Sequence, residues 1–376
     1  MGTIKRLLYN EIQRRMQPNK VMLLFGARRV GKTVLMMQLV DEFDGRKMVL
    51  NGEDYDTQAM LADQTIANYR NLFGNIDLLA IDEAQNITNI GSKLKLIVDE
   101  IPGIRIIASG SSSFDLKNTV GEPLVGRSAQ FLLTPFSQRE LSQTENSLQT
   151  RQNLESRLIY GAYPSVALMS DNQQRKEYLR DIVDAYLLKD ILNVDGIKNA
   201  AKMRDLLRLV AFQTGSEVSL DELGKQLSIS KNTVARYLDL LSKVYVVFKV
   251  GGFSRNLRKE VAKSAKWYFY DNGIRNAVIN NFSPLSLRQD GGRLWENYIV
   301  AERMKRNLNG RHYNELYFWR TYDQQEIDLI EINETEIQAF EIKKGEKNPP
   351  CPKAFSDTYT NAQYNVIRKD NYLDFV

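Results

Sequence analysis

The chain has 376 residues, 43% of them hydrophobic and 26% charged, and its 51 Lys and Arg against 46 Asp and Glu leave a formal charge of +5. That is enough chain for two or three globular domains. A single histidine, His312, and a single cysteine, Cys351, exclude a Cys/His zinc centre and an intramolecular disulfide. Catalysis is thereby left to carboxylates, lysine, arginine and a hard metal. His312 has no triad motif around it and is expected at the surface, and Cys351, between prolines, is expected to be an incidental reduced thiol. Lys5, Arg6, Glu11, Arg14 and Arg15 interrupt every apolar run near the start, so no signal peptide is expected. No run reaches the roughly 18 apolar residues needed to span a bilayer. The expected setting is the cytoplasm, with no membrane partner.

In chain order, residues 21–25, 48–51, 78–81, 104–109 and 131–133 are short runs rich in Val, Ile, Leu and Phe, separated by helix-like segments. This pattern predicts an α/β domain whose parallel sheet is buried on both faces. Residues 153–201 turn helical, with a punctuating loop at 160–164 and one amphipathic helix over 178–192. Three shorter helices are predicted within 203–241, then strands at 245–250 and 267–270. From about Arg293 a helix over 295–305 leads into strands at 315–319, 326–332 and 337–343, with a last helix and strand within 353–368.

Gly26-Ala27-Arg28-Arg29-Val30-Gly31-Lys32-Thr33 fits the G-x-x-x-x-G-K-[ST] pattern, with an apolar strand before it and a helix over 34–43 after it. Backbone N–H groups of such a loop turn inward on a polyphosphate, and the helix aims its positive end at the same charge. The expected nucleotide contacts run from Gly26 through Val34. Lys32 would reach the β- and γ-phosphates and Thr33 would ligate Mg²⁺. A second element, the strand over 78–81 ending in Asp82 and Glu83, places two carboxylates at a buried strand end, which is costly without a cation or hydrogen bonds. Asp82 would hold the Mg²⁺ water shell and Glu83 would orient or deprotonate the attacking water. Together they point to ATP hydrolysis, with ATP and Mg²⁺ as cofactors and ADP as the released ligand.

A third strand runs into Gly110-Ser111-Ser112-Ser113 at the carboxyl edge of the sheet, where ligands of open parallel sheets bind. Ser111 or Ser112 would sense the γ-phosphate there, or the serines merely form a turn. Arg127, in Gly126-Arg127-Ser128, is a candidate arginine finger for a neighbouring subunit of a homo-oligomer, or an ordinary surface arginine.

These elements, followed by Thr134-Pro135-Phe136-Ser137-Gln138-Arg139-Glu140-Leu141 and Tyr160-Gly161-Ala162-Tyr163-Pro164, resemble a large family of AAA+-type ATPases of bacteria and archaea. Its members join the ATPase core to a C-terminal domain of uncharacterised function with a nuclease-like fold. The resemblance covers nearly the whole chain and implies an AAA+-like core. One departure is the serines that end the third strand, where most AAA+ proteins carry asparagine.

Residues 219–241 read as helix-turn-helix: Ser219 caps a helix with Glu222 at the capping-box position, residues 228–230 turn, and Ser230 caps a second helix burying Val234, Leu238 and Leu241. The two following strands, joined by a connection carrying Arg255, Arg258, Lys259, Lys263 and Lys266, complete a winged-helix pattern. Lys231, Asn232 and Arg236 would face DNA. Residues 197–290 hold 16 basic and 8 acidic side chains, a balance of +8 that leaves −3 for the rest of the chain and favours nucleic-acid contact over a purely structural module.

On adjacent C-terminal strands Asp328 can sit beside Glu341, and the two-residue period puts Lys343 on the same face as Glu341. Two carboxylates sharing a second Mg²⁺, with a lysine to orient water, make a phosphodiester-cleaving set. The arrangement resembles the PD-(D/E)xK nuclease core, and that resemblance adds Glu296 as a further acidic position. The expected order is a P-loop ATPase core (1–150), a helical lid or linker (151–200), a winged helix-turn-helix (201–290) and a small α/β nuclease-like domain (291–376). The main reading is a Mg²⁺-dependent ATPase coupled to DNA through residues 201–290. Its alternatives are an ATP-regulated DNA nuclease and a nucleotide-dependent protein-interaction switch.

Overall fold

The computed structural model describes residues 4–110, 124–187, 199–254, 265–321, 323–334 and 336–376, without the side chains of 185–187. The chain gathers into two compact units, Met1–Thr134 with Lys243–Tyr245, and Pro135–Ser242 with Val246–Val376.

In the first unit five strands form one sheet: β1 (Lys20–Phe25), β2 (Lys47–Asn51), β3 (Leu78–Asp82), β4 (Arg105–Gly110) and β5 (Ser128–Leu132), in the order β2-β3-β4-β1-β5. Every pairing is parallel. The α/β parallel core expected from the sequence is therefore present, each strand within three residues of its predicted ends. β1, β3 and β4 are buried along nearly their whole length because helices cover both faces, whereas the edge strand β2 alternates exposed and half-buried residues. Leu79, Ile81, Ile106 and Ala108 pack with Leu94, Ile97 and Val98 of the helix Ile90–Glu100 and with Tyr69 and Phe73.

The second unit opens with helices and closes on a sheet. The helix Ser147–Tyr160 ends at the predicted loop, and Pro164 starts the next short helix. The amphipathic helix expected over 178–192 begins earlier: Asp171 caps Asn172–Asp181 through the N–H groups of Gln173 and Gln174, and a π-helical stretch, Ile182–Leu187, follows. Its first turns are polar, so they carry no apolar period to reveal them. Residues 188–192 of that predicted helix lie outside the described residues.

Three helices then follow, Ala200–Phe212, Leu220–Leu227 and Lys231–Lys243. Ser219 Oγ accepts from Glu222 N–H at 3.3 Å, while the Glu222 carboxylate accepts from Gln226, so half of the expected capping box forms. Ser230 Oγ caps the third helix through Thr233 N–H at 3.1 Å, and Val234, Leu238 and Leu241 are fully buried as expected.

The sheet contains β6 (Glu217–Val218), β7 (Val247–Gly252), β8 (Ala265–Phe269), β9 (Glu315–Arg320), β10 (Glu326–Asn333), β11 (Glu336–Ile342) and β12 (Gln363–Ile367), in the order β12-β11-β10-β9-β7-β8-β6. The strands expected to belong to the wing thus continue directly into the C-terminal strands. The join is short and parallel, Gly251 to Tyr317 and Gly252 to Phe318. The helix Gly291–Gly310 carries the buried residues Trp295, Asn297 and Ile299. Among the described residues no helix is long and apolar enough to cross a membrane.

Candidate functional site

The phosphate-binding loop lies between β1 and the helix Lys32–Asp41, at the carboxyl end of the parallel sheet. Its shape depends on glycine. Gly26 has φ +150° and a Cβ there would stand 2.2 Å from the Leu133 carbonyl oxygen, while Gly31 adopts φ +96° at the start of the helix. Lys32 is buried, and its Nζ donates to the carbonyls of Gly26 at 3.0 Å and Ala27 at 3.1 Å. The ammonium is held over the mouth of its own loop. Of the remaining loop residues, Val30 is fully buried under the loop, Arg29 is exposed in a left-handed conformation and Val34 is 60% exposed at the helix start. Arg28 is half-buried.

Asp82 and Glu83 meet this loop. Thr33 Oγ1 donates to Asp82 Oδ2 at 2.7 Å. The other Asp82 oxygen accepts from Ser109 Oγ, which in turn accepts from Glu83 N–H at 3.2 Å. Glu83 lies in the left-handed region at φ +48°, and its carboxylate accepts from Gln85 Nε2 at 2.5 Å. Adjacent hydroxyl and carboxylate oxygens at the loop mouth are a hard donor pair of the kind Mg²⁺ takes, so the residues present fit that ion.

Ser109 is the participant that sequence reasoning missed. The serine cluster drew attention to Ser111 and Ser112, which lie outside the described residues. Parallel register gives the signal that was available: Ile81 pairs with Ala108, so Ser109, the next residue of β4, comes beside Asp82.

Arg127 stands elsewhere. Its carbonyl accepts from Val21 N–H at the beginning of β1, the end of the sheet opposite the loop, and its Nε is 2.5 Å from Asp99 Oδ1. It has no part in this chain's own phosphate site.

Lys231, Asn232 and Arg236 are all exposed on the helix Lys231–Lys243. Arg255, Arg258, Lys259 and Lys263 lie outside the described residues. Lys266 departs from expectation. It is 2% exposed, with its Nζ on Glu326 and 3.8 Å from Glu296 Oε1, because its position on β8 turns it into the molecule. Arg275 and Arg288 are likewise interior and both bind Asp290. Part of the +8 local charge is therefore consumed inside the fold.

The C-terminal residues do come together. Lys343 Nζ pairs with Glu341 and lies 4.0 Å from Asp328. Asp328 Oδ2 accepts from Ile342 N–H at 2.8 Å, and Glu296 Oε1 accepts from Tyr268 OH at 2.7 Å. Burial raises the Asp328, Glu341 and Glu296 carboxyls, and the neighbouring Asp328 charge adds to it for the latter two, taking Glu296 up to about 7. Lys266 is raised as well: its burial works against the ammonium, but Glu296, Glu326 and Asp328 outweigh it. One oxygen each of Glu296, Asp328 and Glu341 is taken by a protein donor, while Glu341 Oε2 is buried with no hydrogen-bond partner, and among the described residues no three carboxylates are grouped so as to hold an ion. The expected Mg²⁺ pair of Asp328 and Glu341, with Glu296 nearby, does not fit that ion in this arrangement. His312 is exposed as expected, and burial pushes the half-buried Cys351 thiol up, away from reactivity.

Residues 18–142 match the family model of an AAA domain. Residues 151–285 and 291–373 match two domains of unknown function, DUF8612 and DUF4143. The chain is 24% identical over 379 residues to an uncharacterized protein of Methanocaldococcus jannaschii, covering 89% of this chain and 81% of that protein. It is 28% identical over 337 residues to an uncharacterized protein of Mycobacterium tuberculosis, covering 89% and 72%. Among solved structures, a Walker-type ATPase of Pyrococcus abyssi superposes with a TM-score of 0.51 at 15% identity, over 74% of this chain and 96% of that one. The AAA-domain match covers both the phosphate-binding loop and the acidic strand, and the solved structure shares the fold.

Proposed function

We propose that the protein is an AAA+-type, Mg²⁺-dependent ATPase whose nucleotide state governs contact with DNA through a winged helix. The observation that carries the reading is the joining of loop and acidic strand: Thr33 Oγ1 lies 2.7 Å from Asp82 Oδ2, directly beside the glycine-shaped loop. Lys32 exchanges the carbonyls of Gly26 and Ala27 for phosphate oxygens when ATP enters. Thr33 and Asp82 would hold Mg²⁺, which would supply neutralisation of phosphate charge. Glu83 takes the proton of the attacking water once its carboxylate leaves Gln85, and Ser109 keeps Asp82 and the Glu83 backbone in register.

In this reading residues 1–150 are the ATPase core, 151–200 a helical connection, 201–290 the winged helix and 291–376 a domain with a nuclease-like fold. Ser230 caps the helix that presents Lys231, Asn232 and Arg236, and the exposure of these three supports the DNA contact. A role for Arg127 requires a homo-oligomer in which a neighbour's nucleotide meets the opposite end of the sheet.

The test is phosphate release by the full chain. Lys32→Ala abolishes nucleotide binding and Glu83→Gln retains bound ATP without turnover. Robust hydrolysis by both variants overturns the proposal.

A further inference from the structure

The carboxylates around Glu296 and Asp328 already have a cation, and the chain supplies it. Lys266 pairs in register with Val250 on β7 and with Glu217 on β6, which fixes its direction, and its ammonium reaches Glu326, Glu296 and the face of Phe318, 5.2 Å from the ring centroid. The side chain is 3% exposed. We propose that Lys266 is a built-in counter-ion standing where a divalent metal would stand, making this centre a metal-free ionic lock between β8, β10 and the helix Gly291–Gly310.

Three features converge on this. Each carboxylate has one oxygen engaged, Glu296 by Tyr268 OH, Asp328 by Ile342 N–H and Glu341 by Lys343, and the one buried oxygen among them with no hydrogen-bond partner, Glu341 Oε2, lies on β11 and not beside Lys266, whose ion pairs are with Glu296 and Glu326. Four carboxylates, Glu296, Glu326, Asp328 and Glu341, stand with two ammoniums, Lys266 paired to Glu326 and Glu296, and Lys343 paired to Glu341 and Asp328. A metal entering from water would have to surrender part of its hydration shell, which Mg²⁺ does reluctantly. It would also have to displace a buried ammonium already paired to Glu326 and Glu296. Taking Lys266 away would leave its carboxylate partners buried without their cation, which is costly.

The lock is tested by Mn²⁺ binding, followed by electron paramagnetic resonance, to the nucleotide-free full chain carrying Thr33→Ala, which removes a ligand of the nucleotide site. With Lys266 present, no Mn²⁺ site sensitive to Asp328→Asn is expected. Adding Lys266→Gln is expected to raise Mn²⁺ affinity at least about tenfold, and adding Asp328→Asn to that variant to abolish the gain. A Mn²⁺ site that exists with Lys266 intact and disappears in Asp328→Asn overturns the proposal. So does a folded Lys266→Gln protein, judged by its thermal melt, that gains no site. If Lys266→Gln does not fold, the Asp328→Asn comparison in the lysine-containing protein decides alone.

Discussion

Replacing Ser109 with alanine removes a hydroxyl that touches neither substrate nor solvent yet links the two acidic residues. Ser109 is 0% exposed, donates to Asp82 and accepts from Glu83 N–H at 3.2 Å. A hydrogen bond to a charged acceptor is worth about 1.5–3 kcal/mol. If that energy holds Asp82 in the pose that serves the transition state, its loss lowers kcat by about 10- to 150-fold. KM for ATP should stay within about twofold, because Ser109 acts on Asp82 and the Glu83 backbone, not on the loop that grips the phosphates. The orphaned Glu83 N–H adds a stability cost of about 1–3 kcal/mol, so a thermal melt must accompany the assay. Steady-state phosphate release at saturating ATP, at a temperature where the variant is fully folded, reads the effect. An unchanged kcat in folded Ser109→Ala refutes the reasoning, and a raised KM with unchanged kcat assigns Ser109 to nucleotide binding instead.

Asp290→Asn strips the shared carboxylate from Arg275 and Arg288, whose side chains are 1% and 0% exposed, and should cost about 3–5 kcal/mol in denaturant unfolding; a loss below about 1 kcal/mol argues against a buried ionic triad. Glu296 faces Lys266 and Tyr268 from β8, Glu326 and Asp328 from β10, and Lys343 beyond β11, and its carboxyl is raised to about 7. The folded state therefore holds a proton that the unfolded state has released, so this group's contribution falls as pH rises from about 4.3 to about 7 and is level above. Glu296→Gln should remove that slope, gaining stability relative to the parent at about pH 8 compared with about pH 5 in urea midpoints; parallel pH profiles would contradict it. Arg236→Ala should weaken DNA binding by fluorescence anisotropy and reduce the slope of log affinity against log salt by about 1, and an unchanged slope removes Arg236 from the phosphate contacts.

The candidate nucleotide site was legible because its chemistry is compressed into neighbouring residues. Gly26, Gly31, Lys32 and Thr33 act through one turn of backbone, and Asp82 and Glu83 end a run whose apolar character marks a doubly covered strand. The helix starts at Ser219 and Ser230 were readable for the same reason, since a cap involves residues three apart. Where the determinant is a pairing between distant segments, the sequence is silent. The bond from Ser109 to Asp82 spans 27 residues and exists only because β4 lies beside β3. The merging of β7 with β9 rests on two residues of parallel register.

Charge is the property that the fold redistributes most. A count of cations treats each as a surface group, and on that basis residues 197–290 suggest a broad basic face. Register decides otherwise at Lys266: a two-residue period along β8 sends it inward with Tyr268, toward acids that lie 30 and 60 residues away in Glu296 and Glu326. Lys266, Arg275 and Arg288 are subtracted from any nucleic-acid footprint by their own ion pairs. Of the residues expected to face DNA, the exposed Lys231, Asn232 and Arg236 then remain within the described residues. The same subtraction strengthens the reading of the C-terminal centre, because the cation lost from the footprint is the one that occupies it. A composition argument and a metal-site argument that looked independent thus turn on the direction of a single lysine, and Lys266→Gln probes both.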